Sequence, residues 1–219
     1  TELHADVAVT WLIEDGQLAR PGEVIAKVYG PTGTLLSAER SALNFLQTLS
    51  GTATKTRRYV EAIAETTCTI LDTRKTLPGL RLAQKYAVRV GGGVNHRLGL
   101  FDAYLIKENH IKSCGSIANA IEKARTIAPE CFLQIEVESL YQLKIALKHR
   151  PDRIMLDNFN ISEIPYAVQI VKEHVIPLEA SGNVSISTIA SLAKTGIDFI
   201  SIGDLTKSVN AIDLSMLIV

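Results

Sequence analysis

The chain contains 219 residues with 23 basic and 23 acidic side chains, so it has no net charge to favour a broad nucleic-acid-binding surface. No run of about 18 apolar residues predicts a membrane span, and no signal peptide is recognisable. The three cysteines lack C-x-x-C spacing, which argues against a disulfide framework or a zinc site and fits a reducing cytosol. We therefore expect a cytoplasmic protein that binds neither nucleic acid nor membrane.

The first part of the chain predicts two short strands and then helix. Residues 6–14 alternate between apolar and polar side chains, and residues 24–29 form a second strand-like segment after turns at 15–16 and 20–22. Ser37 is predicted to cap a helix that starts near Ala38, is interrupted at Gly51 and resumes over residues 53–65. The short strands are typical of a small β domain.

A regular alternation of strands and amphipathic helices follows. The predicted strands are 69–72, 103–107, 133–137, 153–156, 176–179 and 199–202, and the predicted helices are 80–90, 117–127, 140–148, 164–173 and 186–194. Each strand is apolar enough to be buried on both faces, which is typical of a parallel sheet. The last residues, 212–219, predict either an edge strand that returns to the N-terminal sheet or a final helix.

Polar residues, together with two glycines, stand at the carboxyl ends of the predicted strands. They are Thr73, Arg74 and Lys75; Lys107, Glu108, Asn109 and His110; Glu136 and Glu138; Asp157 and Asn158; Glu179, Ser181 and Gly182; and Gly203 and Asp204. An open sheet concentrates its ligands at one switch point, whereas a barrel gathers residues from all its strands on one rim. We therefore predict an α/β barrel and not a doubly wound sheet.

A basic window lies between Thr73 and Leu100. It contains Arg74, Lys75, Arg81, Lys85, Arg89, His96 and Arg97 but no Asp or Glu. A local positive field in a neutral protein indicates a small anionic ligand. We expect Arg81, Lys85 and Arg89 to lie partly on a solvated helix face, whereas Arg74, Lys75 and Arg97 flank turns and strand ends, where sites tend to lie.

Two carboxylates and one lysine leave chemical alternatives open. Glu136 and Asp157 follow neighbouring strands and suit Mg²⁺ that is held jointly by protein, water and substrate phosphates, or else a structural salt bridge on the rim. Lys107 follows an apolar strand, so it is a candidate for a Schiff base or for a phosphate-binding point charge.

The remaining candidates carry weaker signals. Ser181, Gly182 and Gly203 follow the last two strands, where glycines let backbone N–H groups approach a phosphate, although such glycines are common without a ligand. His96 beside Arg97 is a candidate to recognise a carboxylate or a hydrogen-bonded structural group. The glycine run 91–93 lacks the spacing of a dinucleotide-binding loop.

Several blocks, in order over nearly the whole chain, carry a family resemblance: ERSALNFLQTLSG, LDTRKTLPGLR, GGGVNHRLGLFDAYLIKENHI, IEVESL, IMLDNF, EASGN and FISIGDLTK. They resemble quinolinate phosphoribosyltransferase, the nicotinate-nucleotide pyrophosphorylase of NAD biosynthesis. The family's usual N-terminal helices and first strand are not recognisable, so we expect a fragment. The resemblance implies an N-terminal α/β sandwich domain, here incomplete (1–66), an incomplete α/β barrel (67–205) and a homodimer. Residues 206–219 form a C-terminal tail that is a candidate to return to the N-terminal domain.

The resemblance also implies a reaction and a set of quinolinate ligands. The family joins quinolinate to phosphoribosyl pyrophosphate with Mg²⁺, giving nicotinate mononucleotide, pyrophosphate and CO₂. By motif, Arg74, His96 and Arg97 would hold the two quinolinate carboxylates. Arg40 would reach quinolinate from the partner subunit, so that the active sites of the homodimer are shared.

The resemblance places the phosphoribosyl donor against the other rim residues. Lys75 and Lys107 would lie between quinolinate and the donor as catalytic residues, and Glu136 and Asp157 would serve the ribose hydroxyls and Mg²⁺, directly or through water. The 5-phosphate would be received by Ser181, Gly182 and Gly203. Asp204 departs from the family pattern, in which a small neutral residue is expected, and an acid there should weaken phosphate binding unless it points away.

Two other functions remain open on the residues alone. One is a Schiff-base barrel aldolase or lyase that uses Lys107, although the surplus charge of Arg74, Lys75 and Arg97 argues against it. The other is a catalytically idle barrel that acts as a binding partner, against which the polar residues at every strand end argue.

Overall fold

The computed structural model of the chain describes residues 6–219. These begin with a two-stranded antiparallel sheet, in which β1 (Ala8–Trp11) pairs with β2 (Ala26–Tyr29). Both predicted N-terminal strands therefore form. β1 is shorter than the predicted segment because the N–H groups of Leu12 and Ile13 both donate to the carbonyl of Ile25, an irregularity that ends the regular ladder.

One long helix, α1 (Thr32–Ala62), follows the small sheet without a break. The predicted interruption at Gly51 is wrong. Glycine is needed there because Asn210 passes close to the helix: a Cβ on residue 51 would lie 2.1 Å from the carbonyl oxygen of Asn210. The predicted cap at Ser37 is also wrong, since its Oγ donates to the carbonyl of Gly33 inside the helix at 2.7 Å.

The C-terminal tail, residues 208–219, lies against α1 without helix or strand, so the predicted edge strand or final helix is wrong. The N–H of Ile212 donates to the carbonyl of Gln47 at 3.2 Å, and the Gln47 amide donates to the carbonyl of Leu214 at 3.3 Å. These bonds satisfy tail backbone groups against a helix surface, so the tail does not pair with a strand there.

Six parallel strands form the central sheet. They are β3 (Thr69–Leu71), β4 (Tyr104–Ile106), β5 (Leu133–Val137), β6 (Arg153–Asp157), β7 (Leu178–Ser181) and β8 (Phe199–Ser201). Their order is β3-β8-β7-β6-β5-β4, so β3 and β4 lie at opposite edges although they are consecutive in the chain. A parallel bridge between Leu71 and Val94 adds a contact outside β3.

Seven helices accompany these strands within residues 6–219. They are α2 (Arg81–Val90), α3 (Glu108–Cys114), α4 (Ile117–Ile127), α5 (Leu140–Lys148), α6 (Ile164–Val171), α7 (Ile189–Ala193) and α8 (Asp204–Lys207). α3 and α8 were not predicted, because each is short, polar and attached directly to a strand end. None of the described helices is both long and apolar enough to cross a membrane.

Contacts between distant strands show that the sheet curls. Glu179 on β7 accepts a hydrogen bond from Gln134 on β5 at 2.9 Å and also lies 3.4 Å from His96, which follows the bridge outside β3. One strand lies between β5 and β7, and another between β7 and β3. Neighbouring strands are about 4.8 Å apart, so a flat sheet would keep these groups roughly twice that distance apart at the backbone. Arg97 donates to the carbonyl of Ala103, just before β4, at 3.0 Å and so spans the gap between the two edges. The predicted incomplete barrel is confirmed.

The apolar core lies between the strands and the outer helices. Ile135, Leu156 and Ile200 on the sheet pack in one buried cluster with Leu143 of α5 and Ile189 of α7. Alternate residues on the same strands face the barrel interior, since successive side chains of a strand point to opposite faces. The interior and its rim are therefore free to carry the polar residues of a site.

An exposed strained residue gives a stability prediction. Val175 has φ 56° and a side chain that is 90% exposed, although β-branched residues rarely adopt this left-handed conformation. Val175→Asn is expected to stabilise the fold by about 1 kcal/mol, because asparagine tolerates the conformation and no packing is lost. Urea unfolding measures the change. Val24→Asn, at an exposed valine without positive φ, is the control, and a gain at both sites would contradict the explanation by strain.

Candidate active site

The rim of the barrel collects the predicted site residues at the carboxyl ends of the strands. Thr73, Arg74 and Lys75 follow β3, Lys107 follows β4, and Glu136 and Asp157 lie at the ends of β5 and β6. Ser181 ends β7, Gly182 follows it, and Gly203 precedes α8. The carboxyl ends of parallel strands share one edge, so these groups face a common space.

Lys75 is held beside Gly203. A Cβ on Gly203 would lie 3.1 Å from the Lys75 side chain, so glycine provides the space that the lysine occupies. Thr206 of α8 donates its hydroxyl to the carbonyl of Lys75 at 2.7 Å, and Gln84 of α2 donates to the carbonyl of Thr206 at 2.9 Å. The short helix α8 therefore fixes a cation next to the predicted phosphate loop.

Asp204 points away from that loop. Its carboxylate pairs with the ammonium group of Lys55 on α1, which also donates to the carbonyls of Asp204 at 2.9 Å and Ser208 at 3.0 Å. The Lys55 hydrogen bond holds the pKa of Asp204 below its usual value in spite of partial burial. Asp204, the acid that departs from the family pattern, is thus neutralised by Lys55 and anchors α8 to α1.

Lys107 and Glu136 form an ion pair on the rim. Lys107 Nζ lies 2.7 Å from Glu136 Oε2, with the lysine side chain 47% exposed and the glutamate 11% exposed. The backbone N–H of Lys107 donates to Nδ1 of His110 at 3.0 Å, which fixes the start of α3. A Schiff-base lysine requires a desolvated amine, so the half-exposed pair suits an anion-binding point charge better.

Asp157 and the Gly182 turn are interlocked through Asn158. The Asn158 amide donates to Asp157 Oδ2 at 2.8 Å, and its backbone N–H donates to the carbonyl of Ser181 at 2.9 Å. Gly182 has φ 99°, and a Cβ there would lie 2.1 Å from Asn158 Oδ1. Asn158, which the sequence placed at a strand end without assigning it a role, therefore fixes both strand ends together.

Two arginines of the predicted site have no acidic partner among the described residues. Neither Arg74 nor Arg97 has a carboxylate oxygen within 4.0 Å among the described residues. Burial lowers the pKa of Arg97 below its usual value, and the neighbouring charge of Arg74 lowers it further, with Asp102 opposing. Two guanidinium groups that repel one another favour a bound dianion, which would relieve the repulsion.

A buried ion pair holds the backbone of His96, the residue before Arg97. Lys85 of α2 is 1% exposed and pairs with Asp72, which is 0% exposed. Asp72 Oδ1 accepts from the backbone N–H of His96 at 2.8 Å, and Lys85 Nζ donates to the carbonyl of the same residue at 2.8 Å. The Asn95 amide donates to Asp72 Oδ2 at 2.6 Å.

The expectation that Lys85 lies on a solvated face is wrong. Lys85 precedes the buried Val88 by three residues, so helical spacing places it on the inner face of α2, where only a paired charge is tolerated. Burial lowers the pKa of Lys85 and raises that of Asp72, against the attraction between them. Arg89 does fit the expectation, since it is exposed on the same helix.

Lys85→Met is therefore expected to destabilise the fold by about 3–5 kcal/mol, because Asp72 would remain as a buried charge without its partner. The free energy of unfolding in urea measures the loss. Arg89→Met on the same helix is the control and should change stability by less than about 0.5 kcal/mol. Adding Asp72→Asn to Lys85→Met should recover part of the loss, and a double variant less stable than the single one would contradict the pairing.

His96 and Arg40 occupy positions unlike those of the other candidates. His96 is 9% exposed, with Nε2 facing Glu179 at 3.4 Å and Nδ1 accepting from the backbone N–H of Arg97 at 2.8 Å. Arg40 is 69% exposed on α1, 15 residues before Lys55, which contacts the rim loop. At 1.5 Å per residue these positions are about 22 Å apart along the helix, so Arg40 lies well away from that contact.

Sequence comparison places the chain among known proteins. The family model "Quinolinate phosphoribosyl transferase, C-terminal domain" matches residues 52–217, and the corresponding N-terminal domain model matches residues 1–50. The nicotinate-nucleotide pyrophosphorylase [carboxylating] of Mycobacterium leprae is 45% identical over 210 residues, which are 95% of this chain and 74% of that protein. A probable counterpart in Bacillus subtilis is 44% identical over 204 residues, covering 93% and 70%.

Solved structures agree with this placement. The nicotinate-nucleotide pyrophosphorylase of Francisella tularensis superposes with a TM-score of 0.95 at 49% identity, covering 98% of this chain and 76% of that chain. That of Pyrococcus furiosus has a TM-score of 0.77 at 17% identity, covering 94% and 59%, and supports the fold alone. The barrel with a phosphoribosyltransferase-like rim is therefore an enzyme of known class. The chain belongs to the quinolinate phosphoribosyltransferase family, the nicotinate-nucleotide pyrophosphorylases of NAD biosynthesis.

Proposed function

We propose that this enzyme transfers the phosphoribosyl group of phosphoribosyl pyrophosphate to quinolinate and removes one carboxylate as CO₂. The products are nicotinate mononucleotide, pyrophosphate and CO₂. The observation that carries the proposal is the pair of guanidinium groups, Arg74 and Arg97, which have no carboxylate partner within the described chain and of which Arg74 directly precedes Lys75, the residue beside Gly203. Quinolinate is a dianion, and guanidinium groups bind carboxylates through paired, charge-assisted hydrogen bonds.

The reaction follows from holding both substrates on this rim. Arg74 and Arg97 orient quinolinate so that its ring nitrogen attacks the anomeric carbon as the bond to pyrophosphate breaks. The transition state resembles an oxocarbenium ion, which the carboxylates of Glu136 and Asp157 stabilise electrostatically. Lys75 and Lys107 balance the negative charge between quinolinate and the donor, and Ser181, Gly182 and Gly203 receive the 5-phosphate.

The second step requires no acid–base side chain. N-ribosylation makes the pyridinium ring cationic, so the bond to the adjacent carboxylate breaks with release of CO₂. The electron pair stays on the ring carbon as a stabilised ylide and then takes a proton from solvent. The protein needs only to hold the ring and to keep its remaining carboxylate bound.

Glu136 and Asp157 suit a shared Mg²⁺ site. No cluster of three or more His, Cys, Asp or Glu side chains that could hold a metal ion occurs within residues 6–219, so the chain does not provide a complete metal cage. Each carboxylate uses one oxygen internally, Glu136 toward Lys107 and Asp157 toward Asn158, and the other has no protein hydrogen bond within the described chain. Mg²⁺ commonly binds through one or two carboxylates plus water and substrate phosphates, and there it would supply positive charge for the departing pyrophosphate.

A homodimer with shared sites is also part of the proposal. Arg40 is exposed on α1 and about 22 Å along that helix from the residue that contacts its own rim. Placed at a two-fold interface, it would complete the quinolinate site of the other subunit. We further propose the cytosol as location, which suits the free thiols of Cys68, Cys114 and Cys131.

The deciding experiment incubates the protein with quinolinate, phosphoribosyl pyrophosphate and Mg²⁺ and measures CO₂ and nicotinate mononucleotide. Formation of both in equal amounts supports the proposal, and excess chelator should abolish it. Neither product forming would point to an idle barrel, and a borohydride-trapped adduct at Lys107 with a carbonyl substrate would point to Schiff-base chemistry.

A further inference from the structure

A buried glutamate lies inside the barrel and has no part in the proposed reaction. Glu179 is 0% exposed and precedes Ser181 of the rim by two residues, so both side chains face the interior. Its Oε2 accepts from Gln134 at 2.9 Å and from Arg153 at 3.2 Å. The same oxygen lies 3.4 Å from Nε2 of His96, beside the arginine that is proposed to hold quinolinate.

The hydrogen bonds of His96 define its tautomer. Nδ1 accepts from the backbone N–H of Arg97 at 2.8 Å and therefore carries no proton. The neutral ring then has its proton on Nε2, which is buried and has no aligned hydrogen-bond partner within residues 6–219. Leaving a buried donor unsatisfied is unfavourable, and the carboxylate of Glu179, though poorly aligned at 3.4 Å, offsets part of this cost.

The backbone of His96 is held as firmly as its ring. Asp72 accepts its N–H and Lys85 donates to its carbonyl, both at 2.8 Å. The ring therefore joins two fixed points: Glu179 in the barrel interior and the peptide N–H of Arg97. Nδ1 is occupied by the peptide N–H of Arg97 and Nε2 faces Glu179, while the direct contact with quinolinate that the resemblance implies for His96 stays a prediction.

We propose that Glu179 is a positioning residue for quinolinate binding, which acts through the His96 ring to fix Arg97. The inference rests on the proposed function. The carboxylate is suited to this role. Burial raises the pKa of Glu179, but hydrogen bonding and charge from His96, together with hydrogen bonding from Ser201 and Gln134, outweigh burial and hold the pKa below its usual value. An ionised acceptor thus faces the Nε2 proton.

A double-mutant cycle separates this role from a structural one. Glu179→Gln is expected to raise the dissociation constant for quinolinate about tenfold by calorimetry, because one amide oxygen cannot serve His96, Arg153 and Gln134 together. In a His96→Gln background the same change should raise it no further, since the two residues act in series. Gln134→Met, in the same buried cluster but without contact to His96, is the control: it should lower thermal stability but leave quinolinate affinity unchanged.

Nitrogen-15 NMR of labelled histidine tests the contact without substrate. The His96 signals, assigned by their loss in His96→Gln, should show protonated Nε2 and unprotonated Nδ1 in the wild type and a changed Nε2 shift in Glu179→Gln. Wild-type affinity in Glu179→Gln, additive losses in the double variant, or a proton on Nδ1 in the wild type would each overturn the proposal. Failure of the wild type to bind quinolinate would instead reject the proposed function itself, and the NMR result would show whether the Glu179–His96 contact still stands.

Discussion

Arg97→Ala is expected to raise the dissociation constant for quinolinate by about 100-fold, and Arg74→Ala by a similar factor. Hydrogen bonds to charged groups contribute about 1.5–3 kcal/mol each, and 1.4 kcal/mol is a factor of ten in affinity. This expected loss of binding free energy is smaller than the sum of two such bonds, because removing one guanidinium group also removes its repulsion with the other in the free enzyme. Calorimetric titration with quinolinate alone measures the change.

Two further variants sharpen this prediction. Arg74→Lys should bind almost as poorly as Arg74→Ala, because one ammonium group cannot reproduce the planar fork that matches a carboxylate. Arg89→Ala is the control from the same basic window: this exposed guanidinium lies 5.8 Å from the ring of Tyr86, outside the predicted site, and should leave affinity unchanged. Wild-type affinity in either Arg74→Ala or Arg97→Ala would refute the clamp.

Mixing two inactive variants is expected to restore about a quarter of wild-type activity. Arg40→Ala removes the residue proposed to cross the interface, and Lys107→Ala removes a rim residue of the same proposed site. In a mixed dimer one site inherits both defects and the other inherits neither. Random exchange gives about half mixed dimers, each with one intact site of two, as expected for a two-fold interface.

The complementation has its own controls. Subunit exchange is followed with differently labelled chains, and sedimentation confirms dimers before and after mixing. Mixing Lys75→Ala with Lys107→Ala should restore nothing, because both residues belong to the same barrel. Exchange without recovery in the Arg40 mixture would place Arg40 in its own subunit's site or outside any site.

The sequence predicted the repeating part of the fold well. α4, β5 and α5 begin and end at the predicted residues, because an amphipathic helix or an apolar strand between clear turns is determined by local pattern. The incomplete barrel followed from polar residues at every strand end together with the family resemblance. The assignment of ligands to the rim residues and the domain limits 1–66, 67–205 and 206–219 remain predictions.

What the sequence missed depends on contacts between distant residues. Gly51 reads as a helix breaker, yet it lies within a continuous helix because Asn210 crosses there. The sequence pattern of Lys85 predicts a surface cation, whereas in the structure it is buried against Asp72. Glu179 looks like one more rim residue in the sequence, whereas the curled sheet places it against Gln134 and His96. No local signal in a single sequence specifies such pairings.

The unbroken helix α1 also determines where this enzyme can be recombined with its relatives. The two family models meet at residues 50 and 52, in the middle of a 31-residue helix that carries Arg40 at one end and anchors α8 through Lys55 at the other. A chimera joined at that boundary would pair half-helices with different tail contacts, and the close fit of Gly51 against Asn210 would be lost. A junction in the turn after the helix, between residues 63 and 68, would keep the helix whole, and residues 204–219 would have to be exchanged with it to keep the contacts of Gly51 and Lys55.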